Sequence, residues 1–166
     1  PVRTSTVSAP GLLLIVSLVG ASACGPPLAA PTPVMRTLDE TRTRSLITQA
    51  IRAAGYKPAV PREHPLPGAK KLRADIRIDG TPYGIAYVTK AEATALDKSL
   101  PAYEMDAEQL RLLRPSKDAI VLVLYAQAYR YDIGQTHATN VTTAENKLKR
   151  DVSDFVHHVV KPGKHR

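Results

Sequence analysis

The chain contains no tryptophan, a single phenylalanine and a single cysteine. One cysteine excludes an intramolecular disulfide, so the folded part must stand on its apolar core alone. The seven tyrosines therefore supply most of the aromatic area. Glycine-rich phosphate loops are missing, as are a G-x-S-x-G nucleophile turn, an H-E-x-x-H pair and the Cys/His spacing of a zinc site. Catalytic residues, a metal site and a cofactor are accordingly not assigned. Long apolar runs are also scarce, with one exception, residues 11–24, GLLLIVSLVGASAC. That run falls short of the roughly 20 residues needed to cross a bilayer, and Pro10, Pro26 and Pro27 bound it. An h-region of about 7–15 apolar residues followed by small side chains is the pattern of a secretory signal peptide. Ala21, Ser22 and Ala23 are those small residues, and Arg3 is the only basic residue ahead of them. The sequence opens on Pro1 rather than Met, so a few residues are expected upstream.

Ala21-Ser22-Ala23-Cys24 resembles the lipobox of bacterial lipoproteins, with Ala21 standing where that family usually has Leu, Val or Ile. The resemblance covers the first 24 residues only. It implies cleavage before Cys24, a diacylglycerol on the Cys24 thiol, and a mature N-terminus carrying palmitate-like chains. Ordinary signal cleavage beside an unmodified cysteine, or an uncleaved anchor, are the alternatives. Gly25 replaces the Asp that marks inner-membrane retention in enterobacterial lipoproteins, which points to the outer membrane or periplasmic face. Each buried methylene adds about 0.8 kcal/mol, so several chains hold where one is marginal.

Removing the signal peptide, residues 1–23, takes away only Arg3 among the charges and leaves +7 of the formal +8. The remaining length suits one domain. Residues 24–36 comprise Cys24 and a tether with prolines at 26, 27, 31 and 33. A proline-rich segment favours polyproline II and spans roughly 30 Å at about 3.1 Å per residue. A domain over residues 37–160 and a basic tail over 161–166 follow.

Within the domain, Thr37 and Glu40 form a capping box, and Ile47, Ala50, Ile51 and Ala54 fall on one helical face, predicting a helix over 38–54. Residues 58–68 hold four prolines and read as a loop. Leu72, Ala74, Ile76 and Ile78 alternate with charged residues, the period of a half-exposed strand. Asp79-Gly80 is a hairpin signal, and a second strand follows at 83–89. Thr89 and Glu92 cap a short helix that Pro101 ends. Residues 102–117 are ambiguous, with a strand expected at 109–113. The run 119–125, AIVLVLY, reads as a strand covered on both faces that continues toward Tyr131. Thr142 and Glu145 open a last helix striped by Leu148, Val152, Phe155, Val156 and Val159. The order α-β-β-α-(β)-β-α predicts a single α+β domain, a sheet of three to five strands with helices packed on it.

This order resembles the core of the PD-(D/E)xK nuclease superfamily. The resemblance implies a strand aspartate, Asp75 or Asp79, and a lysine, Lys90, beside a divalent metal. Val88 occupies the place of the acid two residues before that lysine, and a hard cation needs the second carboxylate. A metal-dependent hydrolase, in degenerate form, is therefore the alternative function. Asp154 and His158 share a helix face, with His157 adjacent and His64 and His137 elsewhere, but two ligands are not a site. Asp106 and Glu108 read as solvated carboxylates.

Charge is unevenly spread. Residues 36–77 hold ten Lys/Arg against four acids. Arg42, Arg44, Arg52, Lys57, Arg62, Lys70, Lys71, Arg73 and Arg77 are expected to form one basic patch for an anionic partner. Tyr83 and Tyr87, with Tyr125, Tyr129 and Tyr131, are expected to present an aromatic surface. In an envelope compartment the partner is an acidic protein, lipopolysaccharide or peptidoglycan rather than nucleic acid. The expected function is a non-catalytic, lipid-anchored binding or accessory module. Oligomeric state leaves no signal.

Overall fold

The alternation from Leu72 to Ile78 predicts one strand with one buried face. The structure is a computed structural model that describes residues 34–104, 109–134 and 140–160, and it breaks that strand at Asp75. Leu72 and Ala74 enter one buried cluster with Ala86, Val88, Val121, Val123 and Tyr125. Ile76 and Ile78 enter another with Tyr83, Ile85, Tyr87, Leu122 and Leu124. These partners alternate along their strands, so the clusters are the two faces of one sheet. A break of one residue thus sends the two halves of the segment to opposite sides, as the side-chain period of two requires.

The elements in chain order are β1 (Met35–Thr37), α1 (Glu40–Ala53), β2 (Pro58–Ala59), β3 (Arg62–Pro65), β4 (Lys71–Ala74), β5 (Ile76–Ile78), β6 (Tyr83–Val88), α2 (Lys90–Leu96), β7 (Leu112–Ser116), β8 (Ala119–Tyr125), β9 (Arg130–Asp132) and α3 (Val141–Phe155). The fold is α+β. Its central sheet runs β2-β5-β6-β8-β7, in which β6 and β8 are parallel and the other neighbours antiparallel. Helices α1 and α3 cover one face through Leu46, Ile47, Ile51, Leu148, Val152 and Phe155. On the other face, Leu66 and Leu72 from the β3–β4 hairpin and Ala93 and Leu96 from α2 pack on β6 and β8. A separate two-stranded ribbon joins β1 to β9.

Local signals explain most boundaries. The Thr89–Glu92 capping box forms as expected, with Thr89 N donating to Glu92 Oε2 at 2.8 Å and Glu92 N donating to Thr89 Oγ1 at 3.2 Å. The other two caps fall on nearby residues. Asp39, not Thr37, accepts from Arg42 N at 3.0 Å, because Thr37 is paired with Arg130 in the ribbon. Asn140, not Thr142, accepts from Thr143 N at 2.9 Å. The expected loop at 58–68 contains β2 and β3, whose prolines are tolerated because β2 is an edge strand and β3 belongs to a two-stranded hairpin. The strand expected at 109–113 lies at 112–116. Past Tyr125 a 3₁₀ turn, Ala126–Tyr129, interrupts the expected continuation, and β9 leaves the sheet for β1. Residues 35 and 36, read with the tether, are therefore strand. After Phe155 the last helix widens into a π turn, Val156–Val160.

Gly84 shows why the β4 segment can cross the sheet so closely. A Cβ built on Gly84 would stand 3.1 Å from the Ala74 Cβ, a contact that one of the two strands must relieve. Replacing Gly84 with Val should therefore lift β4 from the sheet and lower stability by about 1–3 kcal/mol. Combining G84V with A74G should recover part of that loss in urea denaturation.

Candidate functional site

The sheet's two faces meet at the carboxyl ends of the parallel pair β6 and β8. The chain leaving β6 passes to α2 on one face, while the chain leaving β8 travels through β9 to α3 on the other. Connections that part in this way leave a crevice beyond the strand ends, the usual ligand position in open α/β sheets. A groove of about 980 Å³ lies at the end of β8, and no residue of β6 or α2 lines it among the described residues. Its floor is the end of β8, from Leu122 to Tyr125. One wall is α3 with the π turn, through Ala144, Lys147, Asp151, Asp154 and His158. The other holds Tyr103 and Arg111.

Polar groups around the groove are mostly tied to its own frame. Tyr129 OH donates to Asp151 Oδ2 at 2.8 Å. Burial, followed by the Asp151 charge, holds the Tyr129 phenol well above its usual pKa. Lys147 Nζ donates to the Ala128 carbonyl at 3.2 Å and stands 5.9 Å from the Tyr129 ring centroid. Arg111 lies over the Tyr103 and Tyr125 rings, at 5.4 and 5.9 Å, and donates to the Ala102 and Glu104 carbonyls. Tyr125 OH donates to the Pro101 carbonyl. The exception is Gln127, whose Oε1 is buried at the groove with no hydrogen-bond partner among the described residues. A buried orphan acceptor costs about 1–3 kcal/mol, and a donor brought by a ligand would satisfy it.

The expected aromatic surface is corrected by burial. Tyr83, Tyr87 and Tyr129 lie in the core, and Tyr131 is half-buried. Helix α3 and the 3₁₀ turn cover them, with Tyr83 edge-on to Phe155 at 5.9 Å and Tyr87 beside Tyr129 at 6.4 Å. Tyr87 OH donates to the Leu38 carbonyl at 2.8 Å, and burial pushes its pKa up to about 12. In a chain with one Phe and no Trp, tyrosine is core material.

The expected single basic patch is likewise divided. Arg42, Arg44 and Arg52 ride on α1 over one face of the sheet, whereas Lys70, Lys71 and Arg73 belong to the segment covering the other. Several of these cations serve the fold. Arg42 binds Glu145 of α3 in two-pronged fashion at 2.7 and 2.9 Å, and that bond holds the Glu145 carboxyl below its usual pKa. Lys71 pairs with Glu63 at 3.1 Å. Lys70 and Arg77 donate to the carbonyls of Leu96 and Val60. Arg52 and Arg73 have no ion-pair partner among the described residues.

The nuclease-like constellation does not assemble. Asp75 Oδ1 accepts from Arg44 at 3.1 and 3.3 Å, and Oδ2 accepts from the Tyr87 amide at 2.9 Å. Both oxygens are thus committed to the fold. Asp79 is at the turn end of the β5–β6 hairpin, away from Asp75, and Lys90 opens α2. Among the described residues no three His, Cys, Asp or Glu are placed to hold a metal. His64 is buried on β3, where burial, then Arg62 and Arg77, lowers its pKa. Asp154 and His158 line the groove, while His157 is exposed beside the second shallow groove against α1. Cys24, Asp106, Glu108, His137, the signal peptide and the basic tail lie outside the described residues.

Sequence reasoning missed Tyr103, Arg111, Gln127 and Lys147. A signal existed on α3, where Ala144, Lys147, Asp151, Asp154 and His158 follow helical spacing. No family model matches the chain, and comparison with curated proteins and solved structures finds no match.

If Asp75 is a structural tie, Asp75→Ala should cost about 2–3 kcal/mol by leaving Arg44 and a buried amide without their acceptor. Asp75→Asn, which keeps one acceptor, should cost less. Denaturant midpoints should show this order, with the wild-type midpoint unmoved by magnesium.

Proposed function

We propose that the protein is an exported lipoprotein of the bacterial cell envelope, anchored through Cys24, whose domain binds an anionic partner without transforming it. The groove at the end of β8 is its binding site. The observation that carries this reading is the lining, in which Arg111, Arg130, Lys147 and Arg150 outnumber Glu104, Asp151 and Asp154, and Gln127 Oε1 has no hydrogen-bond partner among the described residues. Lipopolysaccharide, peptidoglycan and acidic envelope proteins all combine phosphate or carboxylate groups with hydroxyl or amide donors, which suits both features. Among the acids of the groove, Asp151 accepts from the Tyr129 hydroxyl and lies 3.7 Å from Arg150, while Glu104 and Asp154 also line it. A nucleophile paired with a base is not found there among the described residues. The proline-rich tether and the lipobox resemblance support the placement in the envelope. No helix among the described residues is long and apolar enough to cross a membrane.

The full-length protein carrying K147E and R150E should bind purified sacculi or lipopolysaccharide about tenfold more weakly, equivalent to about 1.4 kcal/mol. The R52E/R73E protein, altered in exposed cations away from the groove, should bind as the wild type. The opposite ranking would move the site out of the groove.

A further inference from the structure

The ribbon of β1 and β9 ends in an apolar tip. Val34, Met35 and Ile133 are 55%, 44% and 47% exposed, and they adjoin one another because Ile133 N donates to the Val34 carbonyl at 3.1 Å and Met35 pairs with Asp132. Three of the exposed large apolar side chains thus gather at one end of a short ribbon. Arginines stand just behind them: Arg36 next along β1, and Arg130 opposite Thr37. Both are exposed. The ribbon's one carboxylate is turned inward, where buried Asp132 accepts from Val34 N at 3.0 Å and Gly134 N at 2.7 Å. Half-buried Tyr131 completes the set.

From this arrangement we infer that the ribbon tip docks on an anionic bilayer surface, with Val34, Met35 and Ile133 entering the acyl boundary and Arg36 and Arg130 meeting lipid phosphates. Aliphatic side chains followed by arginine and tyrosine match the order of layers at a membrane interface. A strand rises about 3.3 Å per residue, so Arg36 and Arg130 stand roughly 3–10 Å behind the tip, near headgroup depth. The tip is also where the chain enters the domain. Nine residues lie between Cys24 and Val34, which limits the tip to roughly 30–35 Å from a lipid on Cys24 even if the tether is fully extended. The choice of a bilayer as occupant rests on the lipoprotein reading above; charge and apolarity of the tip do not. Met35 and Arg130 also line the groove, so docking in this way would turn the groove's mouth toward the membrane.

The absence of tryptophan makes the test direct. Full-length M35W, I133W and V60W proteins are each mixed with vesicles of phosphatidylethanolamine and phosphatidylglycerol carrying brominated chains. Val60, beside edge strand β2, is 74% exposed and is the control. Emission from M35W and I133W should shift to the blue and fall by about half, with V60W unchanged. Adding R36E to M35W, or replacing phosphatidylglycerol by phosphatidylcholine, should weaken the quenching. Equal quenching of M35W and V60W overturns the inference. So does a blue shift of M35W that grows with protein concentration without vesicles, which would assign the tip to a second copy. Intact mass of the same samples reports acylation separately. Selective quenching in unacylated protein at saturating vesicle supports the docking surface while removing the anchor, and its absence there removes both.

Discussion

The fold turns on the carboxylate of Asp75. It interrupts an otherwise regular strand, and its two oxygens bind Arg44 of α1 and the Tyr87 amide of β6. Those two bonds join the layer above the sheet to its central strand at the point where β4 departs for the layer below. A buried carboxylate without such partners would be expensive. With them it fixes the angle of the break. The break in turn decides which face Leu72 and Ala74 bury against, and Gly84 supplies the clearance beneath Ala74. A residue placed like a metal ligand is thereby explained as a structural tie.

The groove opens at the end of β8, between Tyr103 and Arg111 on one side and α3 on the other. Tyrosine fills the role that Trp and Phe leave open, and its hydroxyls are anchored to the Leu38 and Pro101 carbonyls and the Asp151 carboxylate. Of the cations around the groove, Lys147 and Arg111 are held by carbonyls and rings. Gln127 Oε1 is, with Thr43 Oγ1, one of two buried side-chain atoms left without a hydrogen-bond partner among the described residues, and it is the one at the groove.

Much of the fold was legible because it depends on local patterns. The 3.6-residue stripe of α3, the Thr89–Glu92 box, the Asp79-Gly80 turn and the two-faced apolar run of β8 each read correctly. Where reading failed, a distant contact had overridden a local preference. Thr37 looks like a cap until β9 pairs with β1, and 58–68 looks like a loop until β3 finds β4. Leu72 to Ile78 looks like one face until Asp75 meets Arg44. The site was less legible than the fold. Lysines and arginines counted along the sequence suggested one patch, but a sheet lies between α1 and β4. The tyrosines that looked suited to a surface are instead covered by α3, and the residues lining the groove come from segments far apart in sequence.

The central claim, that this domain works as a tethered binder at a bacterial membrane, stands or falls on Cys24. Intact-mass spectrometry of the protein extracted from its native membranes tests it most directly. The account predicts a chain that begins at Cys24 and carries the added mass of acyl chains on that residue. A soluble protein bearing Cys24 as an unmodified thiol would contradict it.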